Sequence, residues 1–162
     1  MAKVAVVMGS KSDLEVCRQT VETLKKFSVE TAVRVMSAHR TPDIAAEFAS
    51  KAASDGFEVI IAAAGKAAHL AGVLAAHTAL PVIGLPVKSS TMDGLDSLLS
   101  TVQMPAGIPV ACVAINGGEN AALLALQILG IKYPEISKKL TEFKREMANK
   151  VIADDKEINS LL

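Results

Sequence analysis

Over its first 130 residues the chain alternates short β-branched runs with segments of helical periodicity, a pattern that few folds accept. The runs fall at Val4–Met8, Thr31–Met36, Val59–Ala63, Val82–Leu85 and Val110–Ile115. They are largely apolar along their length, as strands of a parallel sheet are when helices cover both faces. The pattern predicts an α/β fold: a doubly wound parallel sheet, flavodoxin-like in its three α/β/α layers, with an amphipathic helix at the C-terminal end.

Helix starts are marked by capping chemistry. Ser12 with Glu15 has the spacing of a capping box, and Thr41 before Pro42 sets a capping residue ahead of a first-turn proline, so helices are expected near Asp13 and Pro42. Pro134 opens a charged segment in which Ile136, Leu140, Phe143, Met147 and Val151 recur every three or four residues. One amphipathic helix over about 134–162 is predicted, lying on a neighbouring subunit. The loops at Pro86–Gly94 and Gln103–Pro109 are the expected long connections, and no repeat or linker divides the chain, so residues 1–162 read as a single domain.

Composition narrows the partners. Lys+Arg and Asp+Glu are both 17, so no basic excess points to nucleic acid or an anionic membrane, and any bound anion must be held locally. Cys17 and Cys112 lie far apart without metal-ligand spacing, which predicts two reduced core thiols and no metal site. The apolar start, MAKVAVVMGS, is too short to span a bilayer and lacks a cleavage pattern, so a cytoplasmic protein is expected. Aromatic residues are only 3% of the chain, and AAHLAGVLAAH and NAALLALQIL are apolar almost all round. In a chain this small, such helices suggest subunit contacts.

In open parallel sheets, ligands bind beyond the carboxyl ends of the strands where strand order reverses. Three polar segments follow the first three runs: Gly9–Asp13 (GSKSD), Ser37–Pro42 (SAHRTP) and Gly65–Leu70 (GKAAHL). A strand order beginning 2-1-3 brings them to one crevice. In the first segment, Gly9, Ser10, Ser12 and the amides of the next helix form a phosphate cradle on one reading and an ordinary capped turn on the other. Asp13 suits a ribose diol, and equally the first turn of a helix. The second segment crowds a hydroxyl (Ser37), a proton carrier (His39) and a planar anion fork (Arg40) into one turn. His69, in the third, either meets a ligand carboxylate or is a core histidine satisfied by backbone. His77 reads as a surface residue at a helix end.

With these residues placed, the chain resembles the class I N5-carboxyaminoimidazole ribonucleotide mutases, the phosphoribosylaminoimidazole carboxylase catalytic-subunit family. The resemblance rests on an ordered set: MGSKSD, SAHRTP, AAHL, PVIGLPVKSS, GLDSLLSTVQMP and NAALLALQIL. It implies that His39 is the catalytic acid/base, that Ser10, Asp13, Ser37 and Arg40 contact phosphate and ribose, and that Gly65, Ala68, His69 and Leu70 enclose the transferred carboxylate. It also implies a reaction without cofactor or metal, a step of purine biosynthesis and a homo-octamer.

Two other readings compete. One is the carbon-dioxide-dependent aminoimidazole ribonucleotide carboxylase, against which SAHR and AAHL argue. The other is a non-enzymatic flavodoxin-like module, such as a receiver or flavin carrier, against which the missing acidic cluster and the scarce aromatics argue. The third loop departs from the family's usual GAGGAAHLPG at Ala63, Lys66 and Ala71. Two glycines are thereby lost and a cation is introduced, either turned toward the carboxylate pocket or out to solvent.

Overall fold

Residue alternation along each strand decides which side chains form which core. The computed structural model of the chain describes residues 1–161, with five parallel strands in the order β2-β1-β3-β4-β5. The strands are β1 Lys3–Met8, β2 Glu30–Val35, β3 Val59–Gly65, β4 Val82–Val87 and β5 Ala111–Cys112. The helices are α1 Leu14–Lys26, α2 Pro42–Lys51, α3 Leu70–Ala76, α4 Leu95–Val102, α5 Gly118–Gly130 and α6 Pro134–Leu161. Val4, Val6 and Met8 of β1, with Val59, Ile61 and Ala63 of β3, face α1, α5 and the start of α6. Ala5, Val7, Ile60 and Ala62 face the other way, onto α2 and α3. This period-2 division gives a sheet covered on both faces, the doubly wound arrangement that the alternating sequence predicts.

Small residues set how closely the helices approach. Gly84 faces Thr101 of α4 and Ala71 of α3, and a Cβ there would collide with the Thr101 methyl. Gly118 lies so close to α1 that a Cβ would stand 2.5 Å from the Val16 carbonyl, while Thr20 donates its hydroxyl proton to the Gly118 carbonyl at 2.9 Å. Leu24 of α1 and Leu126 of α5 are fully buried in the same core. Truncating either to alanine is worth roughly 2–5 kcal/mol.

Several details differ from the sequence expectations. The fifth strand is only two residues long, because Pro86 of the adjoining β4 has no N–H to donate. The chain still tracks β4 beyond the strand, with the Asn116 N–H donating to the Pro86 carbonyl at 2.8 Å. β3 and β4 each run two residues past the predicted ends, to Gly65 and Val87. The near-total apolarity of α5 is accounted for within one chain, since α5 packs on the sheet, α1 and α6 together.

In α6 the predicted stripe divides. Ile136 and Leu140 are buried and Phe143 meets Phe27 edge-on, with centroids 6.2 Å apart. Met147 and Val151 are 47% and 67% exposed, and Ile152 and Ile158 are also bare. The distal half of the helix therefore presents an uncovered apolar stripe. Leu162, the last residue of the predicted helix, lies outside the described residues. No described helix is long and apolar enough to cross a membrane. Cys17 is fully buried and Cys112 partly so, both as free thiols.

Candidate active site

The strand order 2-1-3 places the ends of β1, β2 and β3 side by side, and the three polar segments meet there with a fourth that follows β4. Together they line a cavity of about 650 Å³. That volume lies within the range typical of small-molecule sites.

The first segment forms a single 3-10 turn, Lys11–Asp13, before α1. Its cap is Ser10, not Ser12 as the sequence spacing suggests. The Ser10 hydroxyl accepts from the Ser12 N–H at 3.3 Å, and the Asp13 carboxylate accepts from the Ser10 N–H at 3.2 Å. Ser12 instead donates its hydroxyl to Asp13, and Glu15 pairs with Arg18 on the surface. The Asp13 N–H is bonded to the Ser10 carbonyl. Three amides of the predicted cradle are thus satisfied within the turn, leaving hydroxyls and Arg40 as the principal donors toward a ligand. Asp13 is only 7% exposed, and burial pushes its pKa up against the opposing pull of Ser12, Ser10 and Arg40. Beneath it, burial and the Asp13 charge push the Cys17 thiol up to about 12, which leaves it unreactive.

The second segment is a self-bonded turn. Ser37 accepts the Arg40 N–H at 3.1 Å and the His39 N–H at 3.3 Å, so one hydroxyl orders the backbone of both residues. Thr41 is the N-cap residue of α2, directly ahead of Pro42 as expected, but its side chain makes no capping bond. Its hydroxyl accepts the Ser37 N–H at 2.9 Å and donates back to the Ser37 carbonyl at 3.1 Å, closing the turn on itself. Arg40 then reaches across to donate to the Gly9 carbonyl at 3.0 Å, which ties the second loop to the first and leaves guanidinium N–H groups facing the cavity.

His69 resolves the two readings left by its position. It is exposed at the start of α3, and its Nδ1 stands 2.8 Å from His39 Nε2. The core-histidine reading is therefore overturned. Of the predicted site residues, Ser10, Asp13, Ser37, His39, Arg40, Gly65, His69 and Leu70 all line the cavity. Ala68 does not, being buried beneath the loop at 1% exposure. His77 is exposed at the end of α3, away from these groups.

The departures in the third loop have distinct consequences. Ala63 sits fully buried in regular strand, where no glycine is needed. Ala71 is buried in the first turn of α3. Lys66 adopts φ +56°, a left-handed conformation that glycine takes freely and that is disfavoured for other residues by roughly 1–2 kcal/mol. The loop thus retains its turn with a side chain attached.

The fourth segment, Val87–Ser90, escaped the sequence reading as a site element. Ser89 is buried and donates to the Asp96 carboxylate at 2.9 Å, while Asn116, itself at φ +57°, accepts the Lys88 N–H at 2.9 Å. The polar run KSS directly after an apolar strand was the available signal.

Fold and site together define a flavodoxin-like α/β protein with a histidine pair and an arginine lining one cavity at its strand-switch point. The chain belongs to the AIR carboxylase family, whose model matches residues 3–150. It is 56% identical to the N5-carboxyaminoimidazole ribonucleotide mutase of Saccharolobus solfataricus, over 94% of this chain and 97% of that one. It is 51% identical to the mutase of Methanocaldococcus jannaschii, over 98% of each. Among solved structures, PurE of Treponema denticola superposes with a TM-score of 0.90 at 30% identity, covering 97% of this chain and 98% of that one.

Proposed function

We propose that this protein is a mutase that moves a carboxylate from the exocyclic nitrogen of N5-carboxyaminoimidazole ribonucleotide to ring carbon four, in purine biosynthesis. The observation that carries the reading is the His39–His69 pair, 2.8 Å apart and lining the same cavity as Arg40 and Asp13. A phosphosugar needs an anion fork, and Arg40 with the Ser10 and Ser37 hydroxyls supplies one. Asp13 accepts from the ribose hydroxyls.

The chemistry needs one proton carrier. His39 donates a proton to the exocyclic nitrogen as the N–C bond to the carboxylate breaks, releasing carbon dioxide inside the cavity. The electron-rich ring carbon attacks that carbon dioxide, forming the new C–C bond. His39 then takes the proton from the same carbon, which restores the aromatic ring and the starting state of the enzyme. General acid–base help of this type is worth ~10²–10⁴ in rate. Holding carbon dioxide beside its acceptor makes recombination effectively unimolecular. Gly65, His69 and Leu70 wall the region where it is held, and Ala68 supports them from below.

The family's description names a carboxylase, whereas relatives at 50–58% identity are named mutases, which favours carboxylate transfer over carboxylation. Conversion of the carbamate substrate in the absence of ATP tests the reading. Turnover of aminoimidazole ribonucleotide with bicarbonate, and none of the carbamate, would replace it with the carboxylase. The catalytic unit is one domain acting in the cytoplasm as a homo-octamer, a state supported by the bare stripe on α6 and by exposed Leu95, Leu99 and Val102 on α4.

A further inference from the structure

We propose that Lys66 makes this enzyme discriminate carboxylated from uncarboxylated forms of its ligand, a role that rests on reading the site as one for an imidazole ribonucleotide. Three cationic side chains line the cavity against the single carboxylate of Asp13. Arg40 is committed to the β1–β2 side by its bond to the Gly9 carbonyl. Lys88 is paired with Asp93 at 3.0 Å. Among the described residues, Lys66 has neither an ion-pair nor a side-chain hydrogen-bond partner, and it lies on the opposite side, at the end of β3.

Its backbone adds a second argument. A lysine held at φ +56° is strained relative to glycine, and such strain persists where the surroundings or the function demand it. The conformation belongs to the turn that delivers His69 to His39 three residues later, and Lys66 lines the same cavity as the histidine pair. A ligand with phosphate at one end and carboxylate at the other presents two anions about a molecule's length apart. Arg40 and Lys66 provide two cations on opposite sides of the cavity to receive them.

The energetic consequence follows from where charge resides during the reaction. Substrate and product both carry the carboxylate, and the intermediate, with carbon dioxide free, does not. A cation at this point therefore lowers substrate and product relative to the intermediate, tightening binding without raising turnover. Lys66 is a specificity-determining residue in this scheme, and the proton steps remain with His39.

Calorimetry of the full chain with aminoimidazole ribonucleotide and with its carbon-four carboxylated product tests the proposal. In Lys66→Met the product Kd is expected to rise about three- to tenfold, with less than about twofold change for aminoimidazole ribonucleotide. Lys66→Arg restores the selectivity. Lys66→Gly loses it as Lys66→Met does, while its melting temperature rises by about 2–4 °C as the left-handed strain is relieved. Equal weakening of both ligands, or none, in Lys66→Met overturns the role of Lys66 and leaves the site reading intact. Failure of the wild type to bind either ligand overturns both.

Discussion

His39 Nε2 and His69 Nδ1 stand 2.8 Å apart with their rings at 82°, so a single N–H occupies the gap and the tautomer of one ring dictates that of the other. If His69 donates, His39 presents a lone pair at Nε2 and a proton at Nδ1. If His39 donates, the roles reverse. His39→Asn is expected to lower kcat by ~10²–10⁴ with ligand binding retained. His69→Ala is expected to lower kcat by about tenfold or more and to change the His39 tautomer seen in ¹⁵N NMR. An unchanged tautomer and turnover would reduce the pair to a packing contact.

Arg40 separates from the histidines in its effect. It bridges to Gly9 and offers its remaining guanidinium N–H groups to an anion, so Arg40→Ala should act on binding. Loss of a charge-assisted bidentate contact predicts a rise in KM of roughly ten- to a hundredfold, about 1.5–3 kcal/mol, with a smaller change in kcat. A kcat loss matching that of His39→Asn, with KM unchanged, would contradict the division of roles.

Asp13 ties function to stability. Burial raises its folded pKa above the unfolded value, so the fold favours the protonated acid. That contribution is fully present below the ordinary carboxylate range and is lost as pH rises through the raised folded value. Above that window the ionised, buried group weakens the fold. Asp13→Asn should therefore melt higher than the wild type at pH 7, by roughly 2–4 °C, while losing ligand affinity. The difference should shrink as the pH falls through that window. A thermal scan series from pH 7 to pH 3 measures it.

Gly118 tests the packing that supports the site. An added Cβ would meet the Val16 backbone carbonyl at 2.5 Å, and neither helix can yield without moving the other. Gly118→Ala should cost about 2 kcal/mol, a fall in melting temperature of roughly 4–8 °C for a chain of this length. Gly107, where nothing lies within 4 Å, is no control, because its φ of +97° strains any side chain. Ser54→Ala, at an exposed hydroxyl, should shift the midpoint by less than about 2 °C.

The apolar stripe on α6 predicts assembly. Val151→Glu combined with Ile158→Glu places charges on residues 67% and 57% exposed in the isolated chain. Sedimentation should show the wild type well above monomer mass and the double variant reduced to smaller species, with secondary structure retained. A wild type sedimenting as a monomer at micromolar concentration would refute the octamer.

Local pattern alone determined the layers of this protein. Strand runs, helix starts at Pro42 and Pro134, and the three polar segments after β1, β2 and β3 are written in neighbouring residues, whose period and capping chemistry act over a few positions. Whatever required two distant segments to meet was settled only by the tertiary structure. One local choice was also left open, since Ser10 with Asp13 and Ser12 with Glu15 share the capping-box spacing, and the structure caps the first turn with Ser10 because Asp13 folds back to the Ser10 amide. Pro86 cuts β5 short from the neighbouring strand. Asn116 holds Lys88 from 28 residues away, which brings the fourth loop to the cavity. The contact between His39 and His69, 30 residues apart, exists because β1 lies between β2 and β3, and strand order is a property of the assembled sheet.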